Sequence, residues 1–218
     1  MLIPNAQDKY QLLINFCHWR KIHDIPGDFL EIGALFGYGT RQLSAYLSRE
    51  CRDKTLYVVD VFDPDFDVTA TSSGVTMQEL YNGWLADTGA PSQWLLYLCN
   101  IKGLANVRTI RGDSREITLP TERLSFAFID GNHQADCVQS DFAMIWERLS
   151  PGGIVAFHDY GGDLPLVTKA IDDIAARHAG QAEYSRPLGR QLLYCMVKRH
   201  AGSRADRAHR PARSSRAA

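Results

Sequence analysis

The stretch Phe29-Leu30-Glu31-Ile32-Gly33-Ala34-Leu35-Phe36-Gly37-Tyr38-Gly39-Thr40 decides the fold. An apolar run ends in an acid, glycines follow at positions 33, 37 and 39, and helix-compatible residues continue from Thr40. A parallel strand turns in this way into a helix whose N-terminus faces a nucleotide-like ligand. Glycine permits it because the backbone can approach closely and adopt φ values that a Cβ forbids. The spacing then selects the ligand. A dinucleotide fingerprint, G-x-G-x-x-G, needs a glycine two residues after the first. Leu35 stands there, and Gln42 stands where the third small residue would follow Gly37-x-Gly39. A pyrophosphate cradle is therefore disfavoured.

Working outward, Ala6 to His23 has helical apolar spacing at Tyr10, Leu13, Ile14 and Cys17, and Pro26-Gly27 breaks it before a strand over 28–33. Thr40–Leu47 predicts a helix. Thr55–Val61 is an apolar run without alternation, as expected of a strand buried on both faces of a parallel sheet. Loop residues and two helices (77–85 and 92–101) fill positions 62–104, so this region reads as a helical insert. Alternation resumes with strands at 107–110, 124–130 and 153–158 and helices at 135–149 and 164–178. Residues 183–185 and 191–197 predict a closing antiparallel hairpin. The product is an α/β, doubly wound, mostly parallel sheet with helices on both faces.

The 218 residues carry 24 basic and 25 acidic side chains. Five arginines (204, 207, 210, 213 and 216) and one acid lie in residues 201–218. The remainder keeps 19 basic and 24 acidic residues, a charge of −5, which argues against a nucleic-acid binder. The tail has no apolar period and is expected to be disordered and solvated, with RNA binding as the other reading. The organisation expected is one domain over 1–200 followed by that tail. No apolar run approaches the ~20 residues of a membrane span, and Met1-Leu2-Ile3-Pro4-Asn5 does not resemble a signal peptide. Five scattered cysteines without a C-x-x-C pair suit reduced thiols. A cytoplasmic location is expected.

The order E-I-G-x-x-x-G-Y-G resembles the first motif of S-adenosylmethionine-dependent methyltransferases, especially the catechol O-methyltransferase-like branch. A second stretch carries a further resemblance: Phe128-Ile129-Asp130-Gly131-Asn132-His133, then Pro151-Gly152-Gly153 and His158-Asp159-Tyr160. It is similar to the I-D-G-x-H…P-G-G…H/D-D-Y pattern of bacterial small-molecule O-methyltransferases, including the macrocin O-methyltransferase-like and cephalosporin hydroxylase-like groups. The resemblance covers residues 28–199 and is weakest over the insert. It implies a Rossmann-like, seven-stranded sheet with an antiparallel last strand. It also implies S-adenosylmethionine as methyl donor and a small hydroxylated molecule as acceptor.

Ligands of open α/β sheets bind beyond the carboxyl ends of the strands, and polar residues here end five apolar runs. Glu31, Gly33, Gly37, Tyr38 and Gly39 belong to the first turn and are expected at the cofactor, with the Tyr38 ring over its methionine end. Asp60, ending strand two, suits the ribose hydroxyls. Asp113 and Ser114, after strand three, offer an acceptor and a donor to the adenine. The resemblance places a divalent cation on Asp130, His158 and Asp159. His158 departs from the usual carboxylate, which shifts preference from magnesium toward manganese, iron or zinc, or removes the metal. The lysine that serves as base in catechol-type enzymes falls at His133, so His133 and Asp130 are the catalytic candidates. The ordinary alternative for both histidines is a solvated or hydrogen-bonded ring. Phe62, Phe66 and Trp84 either shape the acceptor pocket or pack the insert. An NAD-dependent oxidoreductase and a non-catalytic cofactor- or RNA-associated protein are the competing functions. Oligomeric state, homo-oligomers included, is left open.

Overall fold

The structure, a computed structural model, describes residues 6–189 and 192–200. The expected signal-free N-terminus and arginine tail lie outside the described residues. Seven strands form one sheet in the order β3-β2-β1-β4-β5-β7-β6. They are β1 (Asp28–Ile32), β2 (Leu56–Asp60), β3 (Val107–Arg111), β4 (Leu124–Ile129), β5 (Leu149–Phe157), β6 (Ala182–Pro187) and β7 (Tyr194–Lys198). Neighbouring pairs from β3 through β5 are parallel, while β7 runs antiparallel to both β5 and β6. The Rossmann-like, doubly wound α/β sheet with its reversed last strand is the architecture the sequence led us to expect.

Alternation along each strand builds two cores. Phe29, Val58, Phe126, Phe128 and Ile154 face α1 (Ala6–Trp19), α2 (Tyr38–Glu50) and the insert helix α4 (Gln93–Ile101). Leu30, Val59, Ala127, Ile129 and Val155 face α5 (Ala135–Arg148) and α6 (Pro165–Arg177). Side chains buried on alternate faces explain the unbroken apolar runs. The other insert helix, α3 (Met77–Thr88), begins with a capping box in which Thr76 and Glu79 satisfy each other's amides. Among the described residues no helix is long and apolar enough to cross a membrane.

Two elements differ most from the sequence reading. The first helix ends at Trp19 rather than His23, because Lys21 turns left-handed (φ 53°) and a 3-10 turn over Ile22–Asp24 leads toward β1. The fifth strand starts at Leu149, four residues before Gly153. Leu149 pairs with Leu124 and Ile154 with Phe126, so a bulge through Pro151-Gly152 absorbs the extra residues that had read as a break.

Candidate active site

Strand order reverses at β1, which has β2 on one side and β4 on the other. The chain leaves β1 toward β2 and β3 and returns to the opposite side through β4, so loops part there and open a cleft. Backbone bonds continue past the strands and hold their ends level: Asp130 N donates to Ile32 O (2.8 Å), Gly33 N to Val59 O (2.9 Å), and His158 N to Ile129 O (3.0 Å). The cleft encloses about 610 Å³ including its open mouth. Gly33, Asp60, Asp113, Ser114 and Asp130 line it, and so do Phe66 and Tyr81 from the insert.

The remaining residues of the first turn stand behind that wall. Glu31 is wholly buried and accepts hydrogen bonds from Tyr10 Oη of α1 (2.9 Å) and Thr40 Oγ1 of α2. Burial raises its carboxyl to about 7, although both hydroxyls act in the opposite direction. Gly37 caps α2 with a φ of 81°, and Tyr38 opens that helix. A Cβ at Gly39 would overlap the Tyr10 ring, so this glycine admits α1. A Cβ at Gly33 (φ 82°) would lie 2.0 Å from the Asp130 carbonyl oxygen. The close approach that Gly33 permits is thus between the ends of β1 and β4 as well as toward the cleft.

Asp60 organises the same loop. Its Oδ2 accepts from the amides of Ala34 (2.7 Å) and Leu35 (3.0 Å), and its Oδ1 accepts from Phe62 N (2.6 Å). Burial raises this carboxyl and the three amides partly offset the rise. Asp113 is paired with Arg115 (2.7 Å). Behind Ser114 stands Asp141 of α5, a buried acid absent from the expected set, whose Oδ1 has no hydrogen-bond partner. Asp141 lies on the stripe Cys137-Val138-Asp141-Phe142-Ile145, and a charge on an apolar helical face was the signal that could have found it.

Burial raises the Asp141 carboxyl to about 7. A carboxyl raised on folding costs stability above its folded value, and the cost fades as pH falls toward the unfolded value of about 4. Asp141→Asn is therefore expected to stabilise the protein at pH 8, by a few kcal/mol, with the gain shrinking between pH 7 and about 4. Thermal melts at pH 8 and 4.5 check this; equal shifts at both would contradict it.

At the other end of the cleft, Asp130, His133, His158 and Asp159 come together as the sequence suggested, joined by two residues that it did not single out. His158 Nδ1 lies 3.1 Å from Asp130 Oδ1 and 2.9 Å from Asp159 Oδ1. His133 Nε2 bonds to Asp159 Oδ2 (2.9 Å) and its Nδ1 to Asp67 Oδ2 (2.5 Å). Lys9 of α1 donates to Asp130 Oδ2 at 2.8 Å. Asp67 arrives from the loop after β2 and also accepts the amides of His133 and Thr69. Burial alone would lower both imidazoles. The facing carboxylates reverse this, raising His133 to about 10 and His158 to about 9. Burial raises Asp130 and Asp159, and the cations beside them hold both below the usual carboxylate range. Both His133 nitrogens are thus occupied, and a ring that holds its proton to about 10 is not free to take another near neutrality.

Non-glycine residues in left-handed conformations stand at this end of the sheet, among them Leu35 (φ 50°), Phe62 (φ 53°) and Asp159 (φ 60°). Such conformations cost energy and persist where surrounding bonds fix them. Of the aromatics left open, Phe62 is core, packed on Trp94 and Tyr97 with ring centroids 4.8 and 4.4 Å away. Phe66 lines the cleft, and Trp84 packs edgewise on Tyr81.

By distance alone a cation could be shared: one ligand atom each from Asp130, His133 and Asp159 lie within 4.8 Å of one another. Those atoms are already engaged. Three carboxylates (Asp67, Asp130, Asp159) face three internal cations (Lys9, His133, His158). A divalent ion would have to expel Lys9 and strip a proton from an imidazole, so the set as arranged does not fit one.

An α/β sheet with a cleft at its strand reversal and an ionic cluster beside it has the ligand-binding arrangement of open, doubly wound folds. The chain belongs to the methyltransferase-domain family, whose model matches residues 30–160. Among solved structures, the O-methyltransferase NovP is similar at a TM-score of 0.68 and 21% identity, over 88% of this chain and 80% of that one. CalS11, a calicheamicin methyltransferase, follows at 0.60 and 18%, with the same coverages. TomG of Streptomyces achromogenes, an O-methyltransferase of tomaymycin synthesis solved with S-adenosylmethionine, is similar at 0.52 and 15%, over 88% and 80%. At these identities the likeness is one of fold. No curated protein matches by sequence.

Proposed function

We propose that this chain is an S-adenosylmethionine-dependent O-methyltransferase that methylates a hydroxyl of a small molecule. The observation that carries the reading is one cleft that joins the glycine turn and Asp60 to the Asp130 carboxylate. Family membership and the fold shared with O-methyltransferases support it. The donor's ribose lies at Asp60 and its adenine at Asp113 and Ser114. Its methionine end passes Gly33 toward Asp130. The catalytic domain is the span 1–200, with the insert over 62–104 closing one side.

The acceptor oxygen attacks the sulfonium methyl in line. An O–C bond forms as the C–S bond breaks, sulfur keeps the electron pair, and the hydroxyl proton passes to the Asp130 carboxylate and from there to solvent at the open mouth. This chemistry requires alignment and water exclusion more than covalent help. Asp130, facing the cleft, accepts the hydrogen bond of the acceptor hydroxyl. His133 and His158 act through the carboxylates, holding Asp159 and Asp130 in fixed rotamers.

Asp60→Ala tests the donor half. Loss of the ribose acceptor and of three loop bonds is expected to weaken S-adenosylhomocysteine binding by about 1–3 kcal/mol. Calorimetry that gives wild-type affinity would reject the assignment.

A further inference from the structure

We propose that Lys9 is a built-in cation at the acceptor end of the cleft, filling the place of a divalent metal, so that the cluster around Asp130 does not take up metal ions. The inference deepens the proposed function and rests on it for the meaning of the acceptor end. The occupancy of the site can be tested separately.

The Lys9 ammonium sits in surroundings built for a positive charge. It donates to Asp130 Oδ2 at 2.8 Å, with both partners mostly shielded from solvent. It also lies 6.0 Å from the centroid of the Phe128 ring and 5.6 Å from that of Tyr10, within reach of favourable cation–π attraction. Phe128 is wholly buried in β4, two residues before Asp130. The next residue of the helix, Tyr10, is tied to Glu31 beneath the glycine turn (2.9 Å). Two successive residues of α1 thus reach under the ends of β4 and β1, fixing the helix start against the site.

A lysine at this point is not a surface cation that happens to find an acid. Lys9, Leu13 and Phe16 recur at i, i+4 and i+7, and Leu13 and Phe16 are both buried. Lys9 therefore belongs to the stripe that α1 turns toward the sheet, where an alkyl stem can pack and its charged tip meets Asp130. With Lys9 in place, Asp130 has one oxygen on the ammonium and the other on His158. A divalent ion approaching the same carboxylate meets a fixed like charge within contact distance, and that repulsion lowers its affinity. Lys9 is a positioning residue in this arrangement. It sets the rotamer of Asp130 and leaves that carboxylate to hold the acceptor hydroxyl.

The test is titration of the full chain with Mn²⁺, followed by electron paramagnetic resonance, in wild type, Lys9→Met, Lys9→Gln and Asp130→Asn. S-adenosylhomocysteine calorimetry on each protein reports separately on folding and on the donor site. Wild type is expected to show no site-bound Mn²⁺ at millimolar metal. A folded Lys9→Met or Lys9→Gln variant is expected to bind Mn²⁺ at least about tenfold more tightly, since a like charge beside the carboxylates is gone. One Mn²⁺ bound per wild-type chain and lost in Asp130→Asn would overturn the proposal. Variants of Lys9 that keep S-adenosylhomocysteine affinity and gain no Mn²⁺ affinity would overturn it too. Failure of every protein, wild type included, to bind S-adenosylhomocysteine would instead strike the proposed methyl donor and leave the metal result standing.

Discussion

Gly33→Val is expected to abolish S-adenosylhomocysteine binding and to destabilise the fold by about 4 kcal/mol or more, the range of severe core lesions. Two effects combine. The residue sits at φ 82°, a conformation that a β-branched side chain adopts only with strain. Its Cβ would also lie 2.0 Å from the Asp130 carbonyl oxygen and 2.6 Å from Gly131 N. Backbone on two strands cannot yield as a flexible side chain would, so β1 and β4 must separate where the cleft opens. Gly33→Ala places the same Cβ without branching and is expected to lose most of the same stability. Chemical denaturation together with calorimetry checks this. A well-folded valine variant that binds the ligand normally would show that β1 and β4 are not held as close as described.

Asp159→Ala is expected to cut methyl transfer by about a hundredfold or more, the share of an acid–base group that is lost when Asp130 is no longer held in position, with little change in S-adenosylhomocysteine affinity. Asp159 joins His133 and His158, one on each oxygen, and lies outside the cleft wall that contacts the donor. Without it two buried imidazoles lose a shared counter-charge, a loss worth ~3–5 kcal/mol when one partner of a buried pair is removed. His133 keeps Asp67 and His158 keeps Asp130, so the cluster should remain folded but loosely held. The measurement is transfer of labelled methyl from S-adenosylmethionine to a hydroxylated acceptor that supports turnover, with melting curves alongside. Wild-type turnover in the variant would remove the cluster from the reaction.

Most of the sheet was readable in the chain because its strands are buried on both faces. Runs such as Leu56-Tyr57-Val58-Val59 and Phe126-Ala127-Phe128-Ile129 have no solvent face to interrupt them. The start of β5 was hidden because Pro151-Gly152 normally ends a strand, whereas here a bulge carries the pairing past it. The end of α1 was hidden for the opposite reason: Lys21 makes the left-handed turn that a glycine would have announced. At the site, the polar residues that end the strands were visible because nothing in a core explains them. Their partnerships were not visible. Asp67 reaches His133 across 66 residues, and Lys9 reaches Asp130 across 121. Such pairings depend on how loops and α1 fold over the sheet, which no local pattern encodes. The role expected for His133 depended on one of these pairings, since Asp67 and Asp159 together convert a ring suited to taking a proton into one that keeps it.

Everything proposed for the site requires that the cleft beyond β1 and β4 bind an S-adenosyl nucleoside. The most direct measurement is calorimetric titration of the full chain with S-adenosylhomocysteine and, in parallel, with NAD. Saturable binding of one S-adenosylhomocysteine per chain and no heat from NAD are the expected results. Binding of NAD without any response to S-adenosylhomocysteine would contradict it.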